Sequence, residues 1–517
     1  MKKLSRLVLF LVAPAALAAA DAKPRPAAPP APVAAPDPLA LPRSAPEAQG
    51  VPSGSILALV NGLEQKIHAV HSLMVVRHGH VVAEGWWAPY QRNDNHVLYS
   101  LSKSFTSTAV GLAIAEGKLT LDDGVLAAFP EDAPAAPSDK LKAMRLRDLL
   151  SMSTGQHGED VDPFPYAADE SLPRLFLAKP VAHKPGTHFW YNTAATYMAS
   201  AMVQKATGQS VLEFLKPRLF EPLGIAKPEW DADKRGVTLG GFGLRVRTED
   251  IARFGQLYLQ KGQWKGRELL PAAWVAQATA RQVSNGSDPK SDWEQGYGYQ
   301  FWRCRHGVYR GDGAFGQFCI VMPAEDTVVA ITSGTSDLQG VLDQVWEHLL
   351  PALQAQALPA DAAAQEALAK KMGALALEPQ PGSATSPLAK NLAGRRYVFP
   401  ANDEKAESLA LEVAKDGAVT LATRVDGRDV RVPMGFGKWG AEALVPSGGR
   451  DERAAASGAW TAPDTYEARI SLRETPFVLW AKLRFAGDEV TFERGANVGF
   501  GPTTRPTLVG KAVVVRK

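Results

Sequence analysis

The stretch Tyr99-Ser100-Leu101-Ser102-Lys103-Ser104-Phe105-Thr106-Ser107 decides how the rest of the chain is ordered. From Leu101 to Glu116 the apolar residues Phe105, Ala109, Leu112 and Ala113 recur at helical spacing, and Gly117 supplies a stop signal. Ser100 therefore stands at the N-terminus of a helix. Lys103 follows one turn later on the same face, within hydrogen-bond reach of the Ser100 hydroxyl. A serine is a weak nucleophile until a base takes its proton, and a helix N-terminus adds positive potential where an oxyanion forms. The same spacing recurs at Ser287 and Lys290 in an irregular polar stretch, so spacing alone is not diagnostic. At the level of these residues, an activated nucleophile and a plain helix N-cap are both open readings of Ser100.

Working outward, Ser55 to Ile67 has helical spacing, and Ser72 to Arg77 and Val81 to Trp86 alternate around His78-Gly79-His80 as a hairpin. Further helices are expected at Leu146 to Met152, Ala194 to Thr207, Val211 to Leu219, Thr248 to Lys261 and Leu338 to Leu353. Gly296 to Trp302, Gly307 to Gly311, Phe315 to Met322 and Val328 to Thr332 read as strands. Helices in the middle with strands at both ends predict an α+β domain over residues 47–355, its terminal strands closing one antiparallel sheet. A Pro/Ala-rich linker with a short helix around Gln365 to Leu375 fills 356–387. Residues 388–517 alternate in short segments separated by Asp416-Gly417, Asp426-Gly427 and Gly487-Asp488, which predicts an antiparallel β barrel or sandwich.

The first 22 residues read as an export signal: Lys2, Lys3 and Arg6, an apolar run from Leu7 to Ala18, then small residues. The run is well short of the ~20 residues that span a bilayer, and no cysteine follows it for lipid modification, so no stable membrane anchor is expected. Residues 23–46 are a Pro/Ala-rich spacer. A periplasmic or secreted location follows. It permits a disulfide between Cys304 and Cys319, the only cysteines, although two separately buried thiols fit as well. With 57 Lys and Arg against 54 Asp and Glu among 517 residues, charge gives no sign of a nucleic-acid or membrane partner. No spacing typical of a metal site and no phosphate-cradling glycine loop stands out, so no cofactor is expected. His96, His188 and His306 are candidates for a Ser-His-Asp triad, but no Gly-x-Ser-x-Gly elbow accompanies them. Trp86, Trp87 and Trp190 fit core packing or a pocket wall.

The run Ser100 to Ser107, then Gly117-Lys118-Leu119 to Asp122, then Leu146-Arg147-Asp148-Leu149-Leu150-Ser151-Met152-Ser153-Thr154-Gly155, resemble the serine β-lactamase and penicillin-binding superfamily. The nearest branch is the one holding class C β-lactamases, DD-carboxypeptidases, esterases of β-lactamase fold and 6-aminohexanoate-dimer hydrolases. The resemblance covers about Gln49 to Leu353 and implies that Ser100 is acylated with help from Lys103. It also implies a proton-shuttling Tyr191, within Pro185-Gly186-Thr187-His188-Phe189-Trp190-Tyr191-Asn192-Thr193. Relatives carry an asparagine two residues after that tyrosine to bind the substrate amide. Here Thr193 holds the slot, with Asn192 adjacent. Gly311-Asp312-Gly313 matches the third motif without its cation, and the Ala314 N–H is implied as the partner of the Ser100 N–H in an oxyanion hole. The resemblance thus implies a serine hydrolase of small esters or amides, with D-amino-acid peptidase or β-lactamase as alternatives. A penicillin-binding sensor or peptidoglycan-associated scaffold with little turnover is a reading of another class.

Overall fold

The computed structural model describes residues 39–158 and 164–514; the export-signal reading and most of the Pro/Ala-rich spacer lie outside them. The expected hairpin is present as β1 (Val70–Arg77) and β2 (His80–Trp86). Four later strands, β3 (Trp302–Arg303), β4 (Tyr309–Gly313), β5 (Gln317–Met322) and β6 (Thr327–Ser333), join it in one antiparallel sheet of order β2-β1-β6-β5-β4-β3. The two ends of the domain meet where β1 pairs with β6, with Leu73 opposite Ile331 and Val75 opposite Val329.

Alternation along these strands divides the core in two. Leu73, Val75, Phe318, Ile320, Val329 and Ile331 face α1 (Ser53–Lys66) and α6 (Leu338–Gln344). Met74, Val76, Cys319, Val321, Val328 and Ala330 face the larger helical side, with α2 (Ser102–Ala115), α4 (Thr193–Thr207) and α5 (Thr248–Leu259). Strand residues buried on both faces lose the polar alternation of a half-exposed sheet. Helix α2 is buried nearly all round, yet carries several hydroxyls. A hydroxyl left unpaired in a dry interior is costly, and Ser107 Oγ is the one on this helix without a hydrogen-bond partner. Ser104 donates to Gln300 O at 2.8 Å, Thr106 to Gly240 O at 2.9 Å and Thr108 to Ser104 O at 2.9 Å.

The structure departs from expectation in particular places. Gly296 to Gln300 is not a strand: Gln300 has φ +67°, and its amide donates to Leu149 O and Leu150 O at 3.2 and 2.8 Å, tying the loop to α3 (Leu146–Leu150). The short helix expected in the linker, α7 (Ala362–Gly373), is no spacer, because Leu368 and Leu375 are buried in the core shared with α1 and β2. The two cysteines are free and sit on opposite sides of the sheet. Burial pushes the Cys304 thiol up to about 11 and Cys319 up to about 12, so neither is a thiolate at neutral pH.

The C-terminal domain is a closed barrel. Strands β7 (Arg395–Val398), β8 (Ala406–Val413), β9 (Val419–Val425), β10 (Arg428–Gly435), β12 (Arg450–Ala462), β13 (Thr465–Leu472), β14 (Val478–Ala486), β15 (Glu489–Ala496) and β16 (Leu508–Val514) form the ring. Strand β11 (Ala443–Ser447) lies on the edge of β12. The first and last strands pair antiparallel, and a short parallel contact of Met434 with Ala456 and Gly435 with Ser457 completes the closure. Closure removes the exposed edges that a sandwich leaves. All three Asp/Gly turns fall between paired strands.

The barrel is bolted to the α+β domain by buried charge. Arg473 Nε and Nη2 reach the two carboxylate oxygens of Asp94 at 2.9 and 2.6 Å, with both side chains about 5% exposed or less. Beside this pair Val97 N donates to Glu474 O at 2.9 Å, and Asn497 Nδ2 to Gly334 O at 2.7 Å. Removing Arg473 would leave the buried Asp94 carboxylate with only the more exposed Arg453, 3.2 Å from its Oδ1. Arg473→Ala should therefore lower stability by ~3 to 5 kcal/mol. The Asp94→Leu/Arg473→Met double variant should recover most of that loss, as measured by denaturant or thermal melts of the full chain.

Candidate active site

Ser100 lies in a single 3-10 turn, Tyr99–Leu101, that runs directly into α2. Tyr99 has φ +46°, a left-handed conformation that costs a non-glycine residue of order ~1 kcal/mol or more and persists only when the surroundings enforce it. They do so on both sides: Leu98 N donates to Leu244 O at 2.8 Å and Leu101 N to Leu98 O at 3.1 Å. The backbone thus turns sharply at the residue preceding Ser100.

Lys103 is 1% exposed. Its Nζ stands 3.0 Å from Ser100 Oγ, 3.2 Å from Thr193 Oγ1 and 2.8 Å from Gly241 O. Three elements supply these acceptors: the turn before α2, the first residue of α4 and the Gly240-Gly241 loop. A side chain at 241 would collide with Thr193 Cγ2, 2.7 Å from an added Cβ, so the loop approaches this closely only with glycine. The fourth neighbour of the amine is the Tyr191 ring, whose centroid is 4.9 Å away. Tyr191 stacks in turn on Trp302 at 5.5 Å and 18°, with the edge of Tyr297 at 6.4 Å. Burial, and then the neighbouring Tyr191, push the Tyr297 phenol well above its usual range, so Tyr297 stays neutral.

Strand β4 passes directly behind Ser100. A Cβ built on Gly313 would strike Leu98 O and stand 3.1 Å from Ser100 N, which is why the strand carries glycine there. Ala314 follows in a tight turn braced by Gln317, whose amide donates to Ala314 O at 3.1 Å. Gly311 faces the same way, and an added Cβ there would be 2.5 Å from Leu101 Cδ1 and 2.6 Å from Ser104 Oγ. The third-motif slot without its cation is therefore already filled by α2, and it has no room for an introduced lysine.

Two residues expected at the substrate are engaged elsewhere. Asn192 is fully buried as the N-cap of α4: its Oδ1 accepts from Ala195 N at 3.2 Å and its Nδ2 donates to Gln156 Oε1 at 3.0 Å. Asp312 points to the opposite face of β4 from the two glycines and pairs with Arg310 Nε at 2.9 Å. Arg310 is itself fully buried, its guanidinium 4.3 Å over Trp293 and 5.6 Å over Trp302. This charge network backs Trp302 and thereby Tyr191. The candidate histidines are also engaged away from Ser100: His96 pairs with His71, His306 packs on Trp346 and His188 meets His157.

Sequence reasoning missed Gly241, Trp302 and Phe500. Phe500, from the barrel, is 64% exposed and packs against Tyr99 at 5.6 Å and Phe315 at 4.7 Å, while Phe477 meets Phe315 at 5.9 Å. The barrel thus supplies part of an apolar wall beside Ser100.

Residues 58–354 match the beta-lactamase family, which is more than half of the chain. The chain belongs to that family. Among curated relatives, the 6-aminohexanoate-dimer hydrolase of Paenarthrobacter ureafaciens is 25% identical over 298 residues, covering 53% of this chain and 76% of the relative. The lovastatin esterase of Penicillium rubens is 28% identical over 164 residues, 28% of this chain and 41% of the relative. Among solved structures, a putative 6-aminohexanoate-dimer hydrolase from Bacillus anthracis superposes with TM-score 0.50 at 18% identity, over 59% of this chain and 86% of that one.

Within this beta-lactamase fold, Thr193 holds the amine that faces Ser100. Thr193→Val keeps the volume and removes the acceptor. A hydrogen bond from a neutral amine is worth ~0.5 to 1.5 kcal/mol, so the rate of Ser100 modification by a fluorophosphonate should fall about 2- to 10-fold. A thermal melt should show the fold intact.

Proposed function

We propose that the protein is a serine hydrolase in which Ser100 is acylated by a small ester or amide and the acyl-enzyme is released by water. The observation that carries this reading is the 3.0 Å contact of Lys103 Nζ with Ser100 Oγ in a buried pocket. With two hydrogens directed at Gly241 O and Thr193 Oγ1, a neutral Lys103 amine turns its lone pair to the serine hydroxyl and accepts its proton as Oγ attacks the carbonyl carbon. Tyr191, over the same amine, passes the proton to the departing alkoxide or amine. The second half-reaction runs the same relay in reverse, with water in place of the leaving group. The Ser100 and Ala314 N–H groups hold the oxyanion, with Gly313 allowing the approach. Relatives named as a hydrolase and an esterase support the reaction class. The signal-like first 22 residues support action outside the cytoplasm.

Ser100→Ala should abolish both turnover and fluorophosphonate labelling without altering the melt, and persistent labelling would move the nucleophile elsewhere. A single burst of product with no steady turnover would favour a penicillin-binding sensor instead.

Substrate charge is the finer part of the reading. Strand β4 presents Gly311 and Gly313 to the site and keeps Arg310 and Asp312 paired on its other face. It offers no cation for the carboxylate of a penicillin or a peptide C-terminus, a contact worth ~1.5 to 3 kcal/mol or about 10- to 100-fold in kcat/KM. Phe315, Phe477 and Phe500 make the adjoining surface apolar. Uncharged short-chain esters or simple amides should therefore be turned over better than cephalosporins or D-Ala-D-Ala peptides. Comparing kcat/KM for a short acyl ester and a chromogenic cephalosporin decides the point, and a cephalosporin preference would refute it. Phe500→Ala should raise KM for esters with bulky apolar groups while leaving kcat nearly unchanged.

A further inference from the structure

Three histidines far apart in sequence converge at the rim of this site. His157 ends the segment after α3, and His183 and His188 lie on the segment that leads back to Trp190 and Tyr191. The two segments are laced together: His183 N donates to Gly155 O at 2.9 Å, Gly186 N to Ser153 O at 2.8 Å and Trp190 N to Met152 O at 2.9 Å. Gly155 has φ +81°, and a side chain there would strike His183 O, so the close approach depends on glycine. Gln156, buried between Phe176 O and Asn192, anchors the backbone next to His157. The imidazoles therefore stand on a fixed frame.

One ring nitrogen from each histidine lies within 4.8 Å of the other two. His157 Nδ1 and His188 Nε2 are 3.2 Å apart. With metal–nitrogen bonds of about 2.0 to 2.1 Å, two imidazoles of a tetrahedral centre sit roughly 3.3 Å from each other. The His183 and His188 rings are stacked at 4.1 Å, so His183 completes the set by turning its ring about χ2 while its backbone stays in place. His157 is exposed, which leaves one side of the centre open to water or an anion.

We propose that His157, His183 and His188 form a binding site for a divalent transition metal of the kind imidazole prefers, Zn²⁺, Co²⁺, Ni²⁺ or Cu²⁺. His183 and His188 have an H-x4-H spacing, but His157 lies 26 positions before His183, and only the pairing of the two segments assembles the set. The His157 ring packs on Trp190 at 4.0 Å, and Trp190 precedes Tyr191 in the chain. Metal held there would stiffen the wall of the cleft next to Tyr191 and take no part in the proton relay.

The test uses the full chain without an affinity tag, stripped with a chelator and titrated with Co²⁺ and Zn²⁺. One equivalent of Co²⁺ should give visible d–d absorption of a nitrogen-ligated centre, and Zn²⁺ should bleach it and raise Tm. His157→Ala, His183→Ala and His188→Ala should each weaken Zn²⁺ binding by more than about tenfold, the least that loss of even an outer-shell partner commonly costs. Their metal-free melts should match the parent. Absence of the Co²⁺ spectrum, or Zn²⁺ affinity unchanged in His188→Ala, would overturn the proposal. Loss of binding in only two of the three variants would overturn the three-histidine assignment.

Discussion

The structure depends on one constraint, the burial of the Lys103 amine. A primary amine taken out of water must have each of its polar directions met, or the cost exceeds what a domain's marginal stability can absorb. Here Ser100, Thr193 and Gly241 meet it, and they come from three separate elements. Anything that shifts α2, the start of α4 or the Gly240-Gly241 loop therefore breaks a contact to the amine. The same requirement that fixes the fold locally also holds Lys103 against the serine hydroxyl, so stability and chemistry rest on one set of distances.

The barrel enters through the same few residues. Val97, three positions before Ser100, donates to Glu474 of the barrel, and the buried Asp94–Arg473 pair lies just upstream. The left-handed Tyr99 carries its ring onto Phe315 and Phe500. The segment that carries Ser100 is thus held from the sheet side by β4 and from the outside by the barrel. A barrel linked only by a flexible tether would supply neither the hydrogen bond nor the aromatic wall, whereas α7, docked on α1 and β2, leaves the connection little freedom.

Much of this was legible in the sequence where a period or a turn carries the signal. The spacing of Ser100, Lys103, Phe105 and Ala109 gives α2 and the facing of serine and lysine, and Asp/Gly turns mark the barrel hairpins. What was not legible depends on where a side chain points or on long-range pairing. Asn192 sits beside Tyr191 in sequence, but a residue at an N-cap bends its side chain back onto the helix, away from a cleft. Strand alternation puts Asp312 with Arg310 and not with the glycines. Gly296 to Gln300 has the composition of a strand, but Gln300 caps α3 from a left-handed conformation instead. Gly241, Trp302 and Phe500 reach the site only through tertiary packing, for which local periodicity has no counterpart.

The glycines of β4 show how packing and recognition compete at this site. At Gly313 the strand passes so close to Leu98 and Ser100 that any side chain would push it away. At Gly311 the same closeness lets Leu101 and Ser104 of the helix occupy the volume that a recognition cation would need. A side chain at 311 would have to displace the side chains of Leu101 and Ser104, packed at the turn that also carries Lys103. Moving that turn by even a few tenths of an ångström lengthens the contacts to Thr193 and Gly241 that bury the amine. Tight seating of the helix on β4 thus secures the Ser100–Lys103 geometry and, by the same contacts, removes charge from the side of the cleft where a carboxylate would be read.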